Sequence, residues 1–323
     1  MKKRYKVLIG ILVIFTAISI LPFLFQDSDQ LGKFRTVEGE GKYKEAYANA
    51  MRLLPEPNRT LDIETDYGVV RVYEFINSSN ILEIPIVLLP GRTSGTPMWV
   101  ENLEELLSQR TIYTIDILGD AGMSVQNKPI ENAYDQALWL EQVFKAIELS
   151  RFHLIGHSFG GWNAANYTVH YPDRVMSLSL LEPVFVFTGL RWDFYIKSIP
   201  ASLPFLPDSM REKMLADIGG TAEIDMDDPL ARMIAEATEH YAVALPLPKE
   251  IESKQLSELD MPVYVALGGK SVLHNSQKAY DNASQNIREL TIKIWKDGTH
   301  SLPMEYSEEV SKELLDFMRN IDD

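Results

Sequence analysis

Gly156-His157-Ser158-Phe159-Gly160-Gly161 lies where a hydrophobic strand would turn directly into a helix, and the reading of this stretch decides the fold. Phe152-His153-Leu154-Ile155 before it reads as a short buried strand, and residues 162–169 after it read as a helix packed against a sheet. A serine at the apex of such a turn occupies a strained backbone conformation. Side chains two residues to either side would collide with the neighbouring strand and helix, and the glycines at 156 and 160 remove that collision. A bare G-x-S-x-G is a common chance pattern, so it is the strand before and the helix after that make Ser158 a candidate nucleophile.

Outward from this turn, strands and helices alternate. Strands are predicted over 84–89, 111–117, 152–155, 175–181, 263–267 and 290–295, with helices over 100–107, 134–149 and 308–321 between or after them. Such alternation specifies a mostly parallel sheet with helices on both faces. A hairpin over 61–65 and 69–76, turning at Asp66-Tyr67-Gly68, precedes it and brings the sheet to eight strands. Further upstream, residues 27–42 read as a polar tether, and Tyr43, Ala46, Tyr47, Ala50, Met51 and Leu54 form the apolar stripe of a packing helix. The alternation is interrupted only over 183–260. This segment shows two helices, near 208–218 and 229–241, and no strand. It is rich in Phe185, Phe187, Trp192, Phe194, Tyr195, Phe205 and Leu206. It reads as a helical cap inserted after the sixth strand. Most of these side chains are expected to form its own core and a few to line an apolar substrate pocket. The expected division is therefore 1–26 leader, 27–60 tether and packing helix, 61–182 with 261–323 as the α/β core, and 183–260 cap.

The leader differs in kind from the rest. Lys2, Lys3, Arg4 and Lys6 precede an almost unbroken apolar run over 7–25, which Gln26-Asp27-Ser28-Asp29 ends. A run of about nineteen residues at 1.5 Å each spans most of a bilayer's apolar thickness. The basic start and acidic exit fit an inside-positive anchor, with the body outside the cytoplasm. Ala17-Ile18-Ser19 offers a small-x-small site at which the leader would be cleaved and the body secreted, but the apolar run continues past it.

Composition narrows the chemistry. The 323 residues, 46% hydrophobic and 24% charged, suit one large domain with an insertion rather than a disordered chain. There is no cysteine, which excludes disulfides, thiolate metal sites and thiol nucleophiles. The six histidines are scattered and no H-E-x-x-H occurs, so neither a metal nor another cofactor is expected. The net charge is −15; the leader holds four positive residues and no acidic ones, so the remainder carries −19. Such a body repels nucleic acid and anionic headgroups, which leaves a small-molecule substrate as the expected partner.

A serine hydroxyl is a poor nucleophile at neutral pH and needs a base, which in turn needs an orienting acid. His300 is the best-placed base, in the loop Lys296-Asp297-Gly298-Thr299-His300-Ser301 after the last strand. His157, beside the serine, would point elsewhere, and His170 lies about three helical turns along. His153, His240 and His274 read as ordinary structural or surface residues.

Several separated motifs agree with this chemistry. Leu89-Pro90-Gly91-Arg92 through Trp99, Asp116-Ile117-Leu118-Gly119 with Ser124, and Tyr171-Pro172-Asp173-Arg174-Val175 accompany the serine turn, and together they resemble the α/β-hydrolase superfamily, in its capped esterase-like branch, over about 60–320. The resemblance implies an oxyanion hole built from the backbone amides of Arg92 and Phe159, worth roughly 3 kcal/mol per donor to the tetrahedral intermediate. The Arg92 side chain is expected to face solvent, with contact to an anionic substrate group as the alternative. Most relatives carry the acid just after the seventh strand, where this chain reads Gly268-Gly269-Lys270-Ser271. Ser271 cannot hold an imidazolium by charge. Some relatives place the acid after the sixth strand instead, which here makes Glu182 in Leu181-Glu182-Pro183 the candidate, ahead of Asp281 and Asp297. The implied function is a membrane-anchored serine hydrolase cleaving carboxylic esters through Ser158, His300 and Glu182. The same machinery would serve a lysophospholipase, thioesterase, peptidase or acyltransferase, and the missing acid at Ser271 would suit a ligand-binding protein on a hydrolase scaffold.

Overall fold

The computed structural model describes residues 31–77, 84–194, 213, 216–217 and 225–322. The leader over 1–26, most of the expected cap helix over 208–218, and Tyr195, Phe205 and Leu206 lie outside these. Among the described residues no helix is long and apolar enough to cross a membrane.

One sheet organises the molecule. Its strands are β1 (Arg59–Thr65), β2 (Gly68–Phe75), β3 (Ile86–Leu89), β4 (Ile112–Ile115), β5 (Phe152–His157), β6 (Val175–Leu181), β7 (Val263–Gly268) and β8 (Leu290–Trp295). In space they run β8-β7-β6-β5-β3-β4-β2-β1. The pairs β1–β2 and β2–β4 are antiparallel and all others along this path are parallel. A ninth strand, Val125–Gln126, pairs with Gly68 and Val69 of β2 and adds to the eight read from sequence. The central strands β3, β5 and β7 are buried at every position, as unbroken apolar runs between two helical layers should be. The edge strands β1 and β8 instead alternate between exposed and half-buried residues along most of their length.

Helices α1 (Val37–Met51), α2 (Val100–Leu107), α3 (Ala133–Ala146), α4 (Phe159–His170), α5 (Pro229–His240), α6 (Ser276–Asn286) and α7 (Ser307–Asp322) complete the layers. Trp139, Leu140 and Phe144 of α3, Trp162 and Tyr167 of α4 and Ala279 of α6 pack with Val87, Leu89 and Leu154 on one face of the sheet. Tyr43 and Tyr47 of α1, Leu103 and Leu106 of α2 and Leu314 and Met318 of α7 pack with Ile86, Leu88 and Ile155 on the other. Successive strand residues thus feed opposite cores, as the two-residue period requires.

The tether expected over 27–42 is structured from Lys33 onward. Lys33–Phe34 pairs antiparallel with Tyr241–Ala242, placing a short strand in the segment read as strandless. Helix α1 then begins at Val37 rather than Tyr43, with the Thr36 hydroxyl accepting from the Gly39 amide at 3.0 Å. Its first turns lack apolar periodicity, so the signal there is the cap and the Glu38–Lys42 and Glu40–Lys44 pairs rather than a stripe. Gly39 lets α1 lie directly on α5, because a Cβ there would stand 2.6 Å from the His240 ring.

Asp116, at the carboxyl end of β4, has no exposed surface and ties three segments to the sheet. Its Oδ1 accepts from the Thr96 amide at 2.8 Å and hydroxyl at 2.9 Å, and its Oδ2 accepts from the Tyr47 hydroxyl and the Met123 amide, each at 2.8 Å. Burial raises its pKa while these donors oppose the rise. Asp116→Ala would orphan donors from α1, from the Thr96–Trp99 turn and from the loop after β4. The thermal unfolding midpoint is expected to drop by roughly 6 °C or more, and a drop under about 2 °C would show that water replaces the carboxylate without cost.

At the opposite end of the sheet, His153 of β5 bonds Ser177 Oγ at 2.7 Å and meets Asp322 Oδ1 at 3.2 Å, and Arg110 pairs with the same carboxylate. Burial, with the nearby Arg110 charge, holds the imidazole below its ordinary pKa against the pull of Asp322. A histidine depressed in the folded state stabilises the fold fully above its unfolded pKa of about 6.5 and loses that contribution as the pH falls below it. Unfolding midpoints measured at pH 7.5 and pH 5 are therefore expected to fall with pH, and His153→Gln to narrow the difference. An equal difference in both proteins would remove His153 from the account.

Candidate active site

The site gathers at the carboxyl ends of β3, β5, β6, β7 and β8. Ser158 follows β5 with φ 55° and ψ −118° and immediately precedes α4. A Cβ at Gly156 would sit 2.3 Å from the Gly160 carbonyl oxygen, and one at Gly160 would sit 2.2 Å from that of Leu89, so only glycine fits at either position. Of the other non-glycine residues with positive φ, Thr93, Glu182 and Phe185 lie in the loops after β3 and β6, and Glu148 lies apart, just after α3. Backbone strain among the described residues is thus concentrated around the serine, as at sites where function over-determines conformation.

The structure brings Ser158, His300 and Glu182 into one chain of contacts. His300 Nδ1 lies 3.1 Å from Glu182 Oε2, and His300 Nε2 lies 2.8 Å from Ser158 Oγ. An ionised carboxylate only accepts, so the Nδ1 proton points at Glu182 and Nε2 is left to accept from the serine hydroxyl. All three residues are buried. Burial alone would raise the Glu182 pKa, but the His274 and His300 rings beside its two oxygens hold it well below the usual carboxylate range. Its Oε1 also accepts from the Gly268 amide at 2.5 Å.

The remaining candidates fall as follows. Asp281 is exposed on α6 and accepts from Gln277, while Asp297 is exposed in the β8 turn and pairs with Lys270 at 2.8 Å. Ser271 is buried, and its hydroxyl has no partner among the described residues. Gly91 lies directly against the serine, since a Cβ there would come within 3.4 Å of Ser158 Cβ. The next residue, Arg92, holds its guanidinium 4.6 Å over the Phe159 ring, so the two residues expected to supply the amides are in side-chain contact. Phe159 opens α4, and its amide is one of the first-turn N–H groups that have no intrahelical acceptor. The Arg92 side chain is partly exposed and its Nε stands 4.0 Å from the buried Asp120, which also accepts from the Thr93 amide at 3.2 Å. Arg92 is thus exposed, as expected, with its guanidinium lying over the Phe159 ring at the mouth of the site.

Two histidines read as bystanders belong to the site's frame. His157 Nε2 donates to the His300 carbonyl at 2.9 Å and so pins the loop carrying His300. Burial, reinforced by the neighbouring His300, pushes its pKa down to about 3, which keeps it neutral. His274 is fully buried with its Nε2 3.2 Å from Glu182 Oε1. Its place after a strand end, in the loop that lacks the acid, was the available signal. Of the aromatic cap residues, Phe185 and Phe187 join the main core, Phe194 is half-buried and Trp192 is exposed. The Trp162 indole of α4 donates to the Lys249 carbonyl at 2.8 Å and fastens the returning segment to α4.

Comparison with known proteins agrees with this architecture. The chain is 25% identical over 303 residues to carboxylesterase YbfK of Bacillus subtilis, covering 91% of this chain and 98% of that one. It is 25% identical over 278 residues to the uncharacterized carboxylesterase nap of the same organism, covering 85% and 92% respectively. The crystal structure of carboxylesterase CesB (YbfK) from Bacillus subtilis superposes with a TM-score of 0.79 at 24% identity, over 87% of this chain and 99% of that one. The sequence profile described as alpha/beta hydrolase fold matches residues 84–321, from just before β3 to the closing helix α7. With the strand order, the serine turn and the loop-borne histidine all of that pattern, the chain belongs to the alpha/beta hydrolase fold family.

Proposed function

We propose that this protein is a serine esterase that cleaves carboxylic esters of small to medium apolar substrates through an acyl-enzyme. The observation that carries the reading is the continuous relay from Ser158 Oγ through His300 to a buried, ionised Glu182. Ser158 Oγ attacks the ester carbonyl carbon as its proton passes to His300 Nε2, and Glu182 stabilises the imidazolium that results. The oxyanion that forms is received by the amides of Arg92 and Phe159. Collapse of the intermediate breaks the bond to the alcohol, which leaves with the proton from His300. Water, activated by the same histidine, then hydrolyses the acyl-serine. The two carboxylesterase relatives, aligned over most of both chains, support an ester as substrate. In this reading residues 183–260 are the cap insertion.

Turnover of a short-chain aryl ester tests the roles. Ser158→Ala is expected to abolish both hydrolysis and labelling by a fluorophosphonate, and Glu182→Gln to lower kcat by about 10⁴, the scale seen when a triad acid is neutralised. Near-normal turnover in Glu182→Gln would reassign the acid, and unchanged labelling in Ser158→Ala would reassign the nucleophile.

The leader is proposed as an uncleaved membrane anchor that holds the acidic body outside the cytoplasm, on the strength of its basic start and apolar run. The full chain should sediment with membranes and resist extraction by high salt, whereas a chain beginning at residue 27 should remain in the supernatant. Recovery of the mature protein from the medium with a new N-terminus near Ser19 would show cleavage instead.

A further inference from the structure

Glu182 carries a second imidazole that the proton relay does not use. His274 lies in the loop between β7 and α6 with its side chain fully buried. Its Nε2 stands 3.2 Å from Glu182 Oε1, the oxygen opposite the one that faces His300. That distance is within ion-pair range but off hydrogen-bond alignment, and neither ring nitrogen has an aligned partner among the described residues. A buried polar ring left in this condition is costly, and an apolar side chain of similar volume would remove the cost. Contacts around a reacting centre are often long or poorly aligned without substrate and tighten in the reacting complex.

The loop is braced to deliver this ring. The Leu273 carbonyl accepts from the Arg191 amide at 2.7 Å, and the Ser276 hydroxyl donates to the Gly268 carbonyl at 2.5 Å. Asn275 caps α6 by accepting from the Lys278 amide at 2.9 Å. Gly268, at the start of the same loop, donates its own amide to Glu182 Oε1. One loop therefore supplies both neighbours of one carboxylate oxygen, and the other oxygen is left to His300.

Resting on the serine-esterase reading above, we propose that His274 is a positioning residue: it anchors Glu182 Oε1 so that Oε2 stays presented to His300 as His300 gains its proton. His157 and His300 are the titratable groups that face this cluster from the end of β5 and from the β8 loop. The nearby Lys270–Asp297 and Arg191–Asp193 pairs are exposed. An imidazole N–H at Oε1 draws charge away from Oε2. Its removal concentrates negative charge on Oε2, which then holds the His300 Nδ1 proton more tightly, and the carboxylate loses its fixed orientation.

The test is kcat and KM as functions of pH for the full chain on a soluble short-chain aryl ester. His274→Leu is expected to lower kcat about tenfold or more with KM little changed, and to move the acid limb of the kcat/KM profile upward by about half a unit or more. His274→Gln, whose amide N–H can reach Oε1, should return kcat to within about threefold of the parent and restore the limb. The assignment is overturned if His274→Leu matches the parent in kcat and acid limb. It is also overturned if the Leu and Gln variants lose activity alike with the limb unmoved, which is the signature of a purely structural ring. Should His274→Leu fail to fold, His274→Gln against His274→Asn carries the same contrast, because the shorter amide stops short of Oε1. Ser158→Ala separates the two readings. If it is inactive while His274→Leu is unchanged, only the His274 assignment falls; if it retains turnover, the esterase reading falls and takes this assignment with it.

Discussion

A carboxylate with no exposed surface stays ionised only where donors replace the water it has lost, and the arrangement of this site follows from how Glu182 meets that condition. Its aligned donors come from different strand ends, the Gly268 amide after β7 and the His300 ring after β8, and the His274 ring adds a contact within ion-pair range of Oε1. Ionised Glu182 in turn determines which nitrogen of His300 carries the proton, and that leaves Nε2 free to accept from Ser158. The parallel order β5-β6-β7-β8 is what makes this convergence possible, since it stacks the carboxyl ends of four successive strands side by side.

The site is strained locally and braced at a distance. Ser158 and Glu182 hold left-handed backbone conformations that cost of order 1–3 kcal/mol each unless the surroundings over-determine them. The surroundings do so through close packing at Gly156 and Gly160 and through bonds from Ser158 N to the Leu181 carbonyl and from Glu182 N to the Ala266 carbonyl. Asp116 performs the same service for the loop after β3. It grips the Thr96 end of that loop and the Tyr47 hydroxyl of α1, so the N-terminal helix is part of the support for the proposed oxyanion amides. The α1 helix also lies against α5, which joins the cap segment to the same support.

Most of the fold was legible in the chain because buried parallel strands and amphipathic helices carry strong periodic signals. The strands at 175–181 and 290–295 fall where the pattern puts them, and the serine turn is marked by steric necessity at two glycines. The errors have a common cause. Lys33–Phe34, Tyr241–Ala242 and Val125–Gln126 are two-residue strands, too short for any period, and they exist only because a partner strand lies within reach. The first turns of α1 read as tether because their faces are polar and the cap and charge pairs that stabilise them leave no apolar stripe.

The candidate site divides along the same line. The sequence by itself determined the alternating sheet, the serine at a strand-to-helix turn, a histidine after the last strand, and the absence of a carboxylate at Ser271, because each of these is a matter of residue type at a position along one element. Only the tertiary structure decided which distant groups face one another. It set Glu182 against His300, placed Asp281 and Asp297 on the surface, and turned His157 to the His300 carbonyl and His274 to Glu182. These contacts join residues separated by up to 143 positions, and no local pattern encodes them, since they depend on the loops after four strands meeting at one end of the sheet.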